Sequence, residues 1–181
     1  MLNVSDSCKV LCQIGRLDQQ KNPSFTLKVA SALQRRGYNF HLIFVGQGKL
    51  RRALEEAVIG AGLGDRISFL GNRNDVPQLM AGSDLLLLPS HYEGFPLVLV
   101  EAQAVGLPVI VSNKVSLEVD LGLNLVTFLA TDCPERWAQT VEHTNFPIST
   151  SAEHRYAAIR AAGLDVKQNV AKLYALYALP E

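Results

Sequence analysis

The stretch DLLLLPSHYEGFPLVLVEAQAVGLPVIVS, residues 84–112, contains two short apolar runs separated by a helical pattern. The runs DLLLLP (84–89) and PVIVS (108–112) show almost no alternation of apolar and polar residues, which is typical of strands that are buried on both faces. Between them, PLVLVEAQAVG (96–106) predicts a helix that has a proline in its first turn. Strand, helix and strand in this order predict a crossover that joins two parallel strands.

The same alternation continues along the whole chain. Four more strands are predicted, at KVLCQI (9–14), FHLIFV (40–45), ISFL (67–70) and LVTFL (125–129). Six more helices are predicted, at SFTLKVASALQRR (24–36), KLRRALEEAVIGAG (49–62), DVPQLMAG (75–82), CPERWAQTVEHT (133–144), SAEHRYAAIRAAG (151–163) and DVKQNVAKLYALYAL (165–179). This order predicts an α/β protein with a doubly wound parallel sheet of about six strands, helices on both faces and a helical C-terminus.

Local signals predict where several of these helices begin and end. Asn22 and Pro23 form a predicted cap and first-turn pair for the first helix, and Gly37 is predicted to close it. Asp165 is a predicted cap for the last helix, whose apolar residues form a stripe along one face.

Composition limits the kind of protein that this can be. The 181 residues are 48% hydrophobic, which suits a single domain over residues 1–181. Seventeen basic and seventeen acidic residues give a formal net charge of zero, so no global field draws the chain to nucleic acid or to an anionic membrane. Three cysteines without metal-ligand spacing favour reduced thiols in a cytoplasmic protein, and no segment reaches the ~20 apolar residues of a membrane span.

The loop after the first strand carries a glycine and two cations. In an open parallel sheet, ligands bind at the carboxyl ends of the strands. There, in GRLDQQKN, Gly15 permits a tight turn, and Arg16 and Lys21 lie at the same edge, with Lys21 just before a helix. Arginine, lysine and a helix N-terminus all favour phosphate, so this loop predicts a diphosphate site, although the same charges also occur in ordinary solvated loops.

The loops after the second and third strands add weaker signals. In VGQGKL, Gly46 and Gly48 either mark a tight turn or let the backbone approach a ligand. The motif lacks the third glycine of a dinucleotide site, which argues against NAD. In FLGNRNDV the backbone is a candidate lining for a base pocket, while Arg73 and Asn74 fit either a ligand contact or a polar surface.

Two glutamates flank Pro96 in the loop after the fourth strand. Because Pro96 is predicted in the first helical turn, Glu101 is placed one to two turns inside the helix and Glu93 in the preceding loop. The two carboxylates are then expected to approach one ligand from opposite sides, while the N–H groups of residues 94–98 remain available to phosphate or sugar. The alternative is a surface glutamate at 101 and a capping glutamate at 93.

Taken together, the motifs resemble the nucleotide-sugar half of the retaining GT-B glycosyltransferases of family 4, also called group 1. The resemblance covers roughly residues 9–145 and rests on four blocks in order: GRLDQQKNP, LIFVGQGKLRRALEE, ISFLGNRNDVPQLMAGSDLLLLPS and EGFPLVLVEAQAVGLPVIVS. The last block, with its second glutamate after seven intervening residues, is the most specific. The resemblance implies one Rossmann-like half of a GT-B fold, which acts as the donor-binding domain.

The resemblance also implies a role for each matching residue. Arg16 and Lys21 match the diphosphate-binding pair, Glu93 the carboxylate that contacts the donor sugar, and Glu101 the one that holds the ribose hydroxyls. The loop of Gly94, Phe95, Pro96 and Leu97 matches the segment whose backbone reaches the donor. Arg16, Lys21 and Glu93 are then the candidate catalytic residues, and Gly15, Gly46, Gly48 and Arg73 complete the candidate donor site.

The implied enzyme is a hexosyltransferase that moves a sugar from a nucleotide diphosphate sugar to a glycan or lipid-linked acceptor, with retention of configuration. UDP-sugar is the expected donor, and neither a cofactor nor a metal is expected, since the chain has no Asp-x-Asp cluster. The acceptor-binding N-terminal domain of the family is not expected within this chain, so the isolated domain is predicted to be inactive. The full-length enzyme is expected in the cytoplasm, with peripheral association at the inner face of the membrane where the acceptor is a lipid.

Other readings of the same residues stay open at this point. The loop NKVSLEVDLG after the fifth strand departs from the family's usual glycine-glycine turn, which leaves the role of Glu118 undefined. His91 lies two residues before Glu93 without a partner cluster for catalysis. The alternative functions are a non-catalytic module that binds a nucleotide or sugar phosphate, and a GT-B-like nucleotide-sugar epimerase.

Overall fold

The computed structural model describes residue 5, residues 7–144 and residues 150–177. Within them, six parallel strands form one sheet in the order β3-β2-β1-β4-β5-β6. The strands are β1 (Lys9–Ile14), β2 (Phe40–Val45), β3 (Ile67–Gly71), β4 (Leu85–Leu88), β5 (Val109–Ser112) and β6 (Val126–Leu129). This confirms the predicted doubly wound sheet, a Rossmann-like half of a GT-B fold.

Seven α-helices accompany the sheet in the described residues. They are α1 (Pro23–Arg35), α2 (Arg51–Gly60), α3 (Val76–Ala81), α4 (Leu97–Val105), α5 (Pro134–His143), α6 (Ala152–Ala161) and α7 (Val166–Tyr177). Every predicted strand and helix is present, with its ends displaced by at most two residues; residues 178 and 179 of the predicted last helix lie outside the described residues. Two short 3-10 helices, Gly64–Arg66 and Leu117–Val119, were not predicted.

Helices cover both faces of the sheet because successive strand residues point to opposite sides. On one face, Leu11 of β1 packs in a core with residues of α1, α2 and α5, where Trp137 meets Phe25 edge-to-face at 5.3 Å between ring centroids. On the other face, Val10 and Cys12 pack with residues of α3 and α4. The sheet is therefore buried on both sides, as its unbroken apolar strands predict.

The predicted cap of α1 is wrong in its chemistry. Asn22 is the N-cap residue, but it has a left-handed backbone (φ 51°) and its side chain makes no capping hydrogen bond. Its Nδ2 instead donates to the carbonyl of Pro89, in the loop after β4. Pro23 does open the helix, as predicted. The Asn22 side chain thus joins two loops instead of capping the helix that follows it.

The predicted start of α4 also needs a small correction. Pro96 is the N-cap residue, with extended backbone (φ −74°, ψ 105°), and the first helical residue is Leu97. Two other end signals are confirmed. Gly37 follows α1 with φ 70°, and Asp165 accepts a hydrogen bond from the backbone N–H of Gln168 at 2.9 Å.

The C-terminal helix α7 presents its apolar stripe to solvent in the described part of the chain. Val166, Val170, Leu173, Tyr174, Leu176 and Tyr177 are all exposed. Among the described residues, no helix is long and apolar enough to cross a membrane.

Candidate functional site

The strand order creates a crevice between β1 and β4. These strands are neighbours in the sheet, yet the chain leaves β1 toward one edge and β4 toward the other. The loops that follow them, residues 15–22 and 89–96, therefore separate above the carboxyl edge of the sheet. Ligands of doubly wound folds bind at such a switch point.

Hydrogen bonds join the two loops across the base of this crevice. The side chain of Asn22 donates to the carbonyl of Pro89 at 3.2 Å. The backbone N–H of His91 donates to the carbonyl of Gln20 at 2.9 Å, and Nε2 of Gln20 donates to the carbonyl of Tyr92 at 3.2 Å. Three bonds between segments about 70 residues apart fix the loops relative to each other.

An ion pair between the loops lies at the centre of the site. Nζ of Lys21 is 2.6 Å from Oε1 of Glu93, and the two side chains are only 15% and 10% exposed. The hydroxyl of Ser90, which is fully buried, donates to the same carboxylate oxygen at 2.9 Å. Sequence analysis predicted both charged residues for one ligand, but not that they contact each other.

Gly15 makes room for the lysine. It has a positive φ of 137°, and the Lys21 side chain lies across it, so that a Cβ atom at this residue would be 3.2 Å from the lysine Cε. The backbone carbonyl of Lys21 accepts a hydrogen bond from the buried side chain of Gln13 at 2.9 Å. The lysine is thus held from both its backbone and its side chain.

Arg16 is placed differently from Lys21. Its side chain is 74% exposed and lies 3.4 Å from Asp18, with a second long contact to Gln20. A solvated ion pair of this kind contributes little stability, so the guanidinium can reorient at small free-energy cost. The structure brings Lys21 and Glu93 together, whereas Arg16 remains at the rim of the crevice.

Gly46 and Gly48 lie against the protein's own backbone. A Cβ atom at Gly46 would overlap the carbonyl oxygen of Gly15, and one at Gly48 would overlap that of Leu17. Leu17 also exchanges hydrogen bonds with this loop, donating to Gln47 and accepting from Leu50. Contact with the loop that follows β1 therefore requires glycine at both residues.

Glu101 is the fifth residue of α4, and its side chain is exposed. No side-chain hydrogen bond or ion pair joins it to another residue of the described ranges. Phe95 and Leu97 are exposed beside the helix start, while Pro96 is buried. Leu97 and Val98 are the first two residues of the helix, and their N–H groups lack intrahelical acceptors.

Arg73 is engaged with a neighbour on the third loop. It forms a two-pronged ion pair with Asp75, with N–O distances of 2.8 and 2.6 Å. The guanidinium lowers the pKa of the Asp75 carboxyl, chiefly through these hydrogen bonds. Because it is paired with Asp75, Arg73 belongs to the surface of its own loop.

Sequence analysis did not predict some residues of the site, and it left the roles of His91 and Glu118 undefined. Ser90, Gln20 and Asn22 follow strands in the sequence, and that position was the signal that could have found them. His91 contributes its backbone to the loop contacts, with an exposed side chain. Glu118 is exposed in the short 3-10 helix Leu117–Val119.

Among the described residues, no group of three or more histidines, cysteines, aspartates or glutamates could hold a metal ion. The crevice instead offers a largely buried lysine paired with a carboxylate, and a solvated arginine, with the start of α4 and the exposed Glu101 following its second loop. This set suits an anionic ligand that also carries hydroxyl groups.

Comparison with known proteins gives the same reading of the fold. The chain is 37% identical over 169 residues to a putative glycosyltransferase, EpsF, of Bacillus subtilis (strain 168), which covers 93% of this chain and 44% of that protein. It is also 37% identical over 116 residues to the Escherichia coli UDP-Gal:alpha-D-GlcNAc-diphosphoundecaprenol alpha-1,3-galactosyltransferase, covering 62% of this chain and 30% of that one.

Two solved structures are similar in fold as well as in sequence. WaaG, a glycosyltransferase of lipopolysaccharide biosynthesis, matches 90% of this chain and 45% of its own with a TM-score of 0.72 and 26% identity. Anabaena HepE in complex with UDP and glucose matches 93% of this chain and 48% of its own with a TM-score of 0.74 and 25% identity. The chain spans about half the length of these relatives or less.

The family model described as "Glycosyl transferases group 1" matches residues 2–156, most of the chain. The matched segment includes all six strands, both loops of the crevice and the Lys21–Glu93 pair. This chain therefore belongs to the group 1 glycosyl transferases.

Proposed function

We propose that this chain is the donor-binding domain of a retaining glycosyltransferase that transfers a sugar from a nucleotide diphosphate sugar to a glycan or lipid-linked acceptor. The observation that carries the proposal is the Lys21–Glu93 ion pair at the switch point between β1 and β4. It places a cation for phosphate and an acceptor for hydroxyl groups within one crevice.

In this proposal, the cations bind the diphosphate. Lys21 contributes a fixed charge beside Gly15, and Arg16 turns from solvent onto the phosphate oxygens. Because the sugar–phosphate bond breaks during transfer, negative charge develops on the diphosphate, and preorganised positive groups stabilise it. The N–H groups at the start of α4 supply further donors.

The carboxylates bind the two sugars of the donor. Glu93, at the base of the crevice, accepts hydrogen bonds from the transferred sugar, and Glu101, on the exposed side of α4, accepts them from the ribose hydroxyls. The segment Gly94 to Leu97 lies between these carboxylates. The base binds among Gly46, Gly48 and Arg73 at the ends of β2 and β3, and no metal takes part.

The donor and acceptor classes are supported by relatives. The Escherichia coli galactosyltransferase is named for a UDP-Gal donor and a lipid diphosphate acceptor, and Anabaena HepE was solved with UDP and glucose. From these relatives we propose a UDP-sugar as the donor of this chain. The chain spans half or less of these proteins, and we propose that the acceptor binds to a second domain.

Thermal unfolding with UDP, GDP and ADP tests the donor site directly. A nucleotide at 100 times its Kd should stabilise the domain by ~2.7 kcal/mol and raise Tm by about 5 to 10 °C. Arg16→Ala and Glu101→Ala should remove most of this shift. Arg52→Ala is the matched control, because Arg52 pairs only with Glu56 on the exposed face of α2.

A shift with one nucleotide that both site variants remove supports the site and identifies the base. A shift that survives both variants contradicts the assigned roles, and no shift with any nucleotide contradicts donor binding by this chain. Retention is tested in a protein that joins this chain to an acceptor-binding domain, by NMR of the anomeric configuration of donor and product. An inverted product contradicts the retaining mechanism.

A further inference from the structure

The lysine proposed to bind the diphosphate already has an anion beside it. Lys21 and Glu93 are 2.6 Å apart with 15% and 10% of their side chains exposed, so each charge is largely removed from water and compensated by the other. Arg16, in contrast, keeps most of its hydration. A diphosphate that binds at this crevice must therefore compete with Glu93 for Lys21.

Competition for Lys21 affects the carboxylate as well as the cation. When a diphosphate takes the lysine, two anions share one ammonium group and repel each other. Glu93 then loses its main counter-charge while it remains mostly out of water, which is strongly unfavourable unless other donors replace the lysine. The hydroxyl of Ser90 supplies one such donor, at Oε1.

At Oε2, the second carboxylate oxygen of Glu93, a sugar hydroxyl can compensate for the loss of Lys21. The contacts from Lys21 and Ser90 both fall on Oε1, and no residue of the described ranges donates a hydrogen bond to Oε2. A sugar hydroxyl at Oε2 would restore hydrogen bonding to the carboxylate at the moment when the diphosphate withdraws the lysine. A nucleoside diphosphate that lacks the transferred sugar has no such hydroxyl beyond its terminal phosphate.

We propose that the Lys21–Glu93 ion pair makes this site prefer a nucleoside diphosphate that carries the sugar to be transferred over the nucleoside diphosphate alone. The inference rests on the proposed donor-binding function and adds a preference that favours release of the nucleoside diphosphate product. Glu93 imposes the penalty on the ligand that lacks the transferred sugar. Ser90 is a positioning residue that holds the carboxylate and limits the penalty.

Isothermal titration of this chain with UDP and with UDP-glucose or UDP-galactose measures the preference as a ratio of Kd values. Glu93→Gln keeps the size of the side chain and removes its charge. We expect it to bind UDP about tenfold more tightly than the wild type, equivalent to ~1.4 kcal/mol, and to bind the UDP-sugar no more tightly. The preference for the sugar-bearing ligand should then fall by a similar factor.

Ser90→Ala should act in the opposite direction. Without the hydroxyl, Glu93 depends more on Lys21, so UDP should bind several-fold more weakly while the UDP-sugar is less affected. Ser112→Ala is the matched control, because Ser112 is an equally buried serine at the end of β5 whose hydroxyl accepts from the backbone of Lys114. Asp84→Asn controls for loss of a carboxylate beside a lysine, Lys9, at the opposite edge of the sheet. Neither control should change the ratio.

The outcomes separate the inference from the function on which it rests. If wild-type chain binds neither UDP nor the UDP-sugars, the proposed function fails and the inference fails with it. If it binds them but Glu93→Gln leaves UDP affinity unchanged or weaker, only the inference is overturned. Should Glu93→Gln prevent folding, as judged by thermal unfolding without ligand, the Ser90→Ala ratio decides, and a ratio equal to that of Ser112→Ala overturns the inference.

Discussion

Gly46 is a residue at which the packing of the crevice loops leaves no space for a side chain. Its φ of 131° is unfavourable for residues with a side chain, and its missing Cβ leaves space for the carbonyl of Gly15. Two separate constraints, backbone conformation and close approach, therefore require glycine.

We predict that Gly46→Ala lowers the free energy of unfolding by at least ~2 kcal/mol, because backbone strain and overpacking each cost about 1–3 kcal/mol. Urea denaturation measures the effect. Gly60→Ala, at the end of α2 where nothing lies near the added methyl group, should instead stabilise the protein by about 0.5–1 kcal/mol. Equal effects at the two glycines would contradict the close contact.

His41 gives a pH-dependent contribution at the same scale. The ring lies on β2, with Nε2 2.9 Å from the hydroxyl of Ser68 on β3. Burial lowers the pKa of His41 below its ordinary value of 6.5, because the imidazolium would lose hydration. Below pH 6.5 the unfolded chain thus binds a proton that the folded protein does not bind, and stability falls as the pH decreases.

We therefore predict that His41→Gln loses less stability than the wild type between pH 8 and pH 5. Urea denaturation at both pH values gives the two differences. The carboxylates contribute equally to both proteins, so the comparison isolates the histidine. The same pH-dependent loss in both proteins would show that His41 does not titrate differently on folding.

At the scale of elements, Arg155 of α6 makes a hydrogen bond that links this helix to the end of α4. Nε of Arg155 donates to the carbonyl of Ala104 at 2.9 Å, and Nη1 contacts the carbonyl of Thr150. The guanidinium lies against Gly106, the left-handed residue that ends α4. A cation at a helix C-terminus also interacts favourably with the helix dipole.

Arg155→Ala should lower the free energy of unfolding by about 1–3 kcal/mol, since the carbonyl groups of Ala104 and Thr150 lose a charged donor. Urea denaturation provides the measurement. Arg52→Ala, which removes an exposed pair with Glu56, should stay within ~0.5 kcal/mol of the wild type. Similar losses in both variants would contradict an anchoring role for Arg155.

For the whole molecule, charge balance and strand order have separate consequences. Seventeen basic and seventeen acidic residues cancel, so the chain as a whole has no net charge that attracts anions. The strand order determines where the crevice lies, because it brings the ends of β1 and β4 together.

We predict that the chain passes through a heparin column without retention at ~0.15 M salt, where the Debye length is about 8 Å and distant charges are screened. The elution volume measures this, with a basic protein of similar size as the retained control. Retention at that salt would reveal a cationic surface beyond Arg16 and Lys21.

The sequence by itself determined the elements, their alternation and the loops that hold the candidate site residues. Unbroken apolar runs such as residues 84–89 indicate buried strands, and each helix between them predicts a parallel crossover. The same patterns placed Arg16, Lys21, Glu93 and Glu101 at one edge of the sheet. These are local or periodic properties, which the order of residues encodes directly.

Tertiary structure alone decided which of these residues touch. The contact between Lys21 and Glu93 and the hydrogen bond from the Asn22 side chain to Pro89 both join segments about 70 residues apart in sequence. Such contacts arise from the strand order and from the hydrogen bonds between loops, which no local pattern specifies. The requirement for glycine at residue 46 is likewise set by the neighbouring β1 loop, because only the folded backbone brings Gly15 within reach.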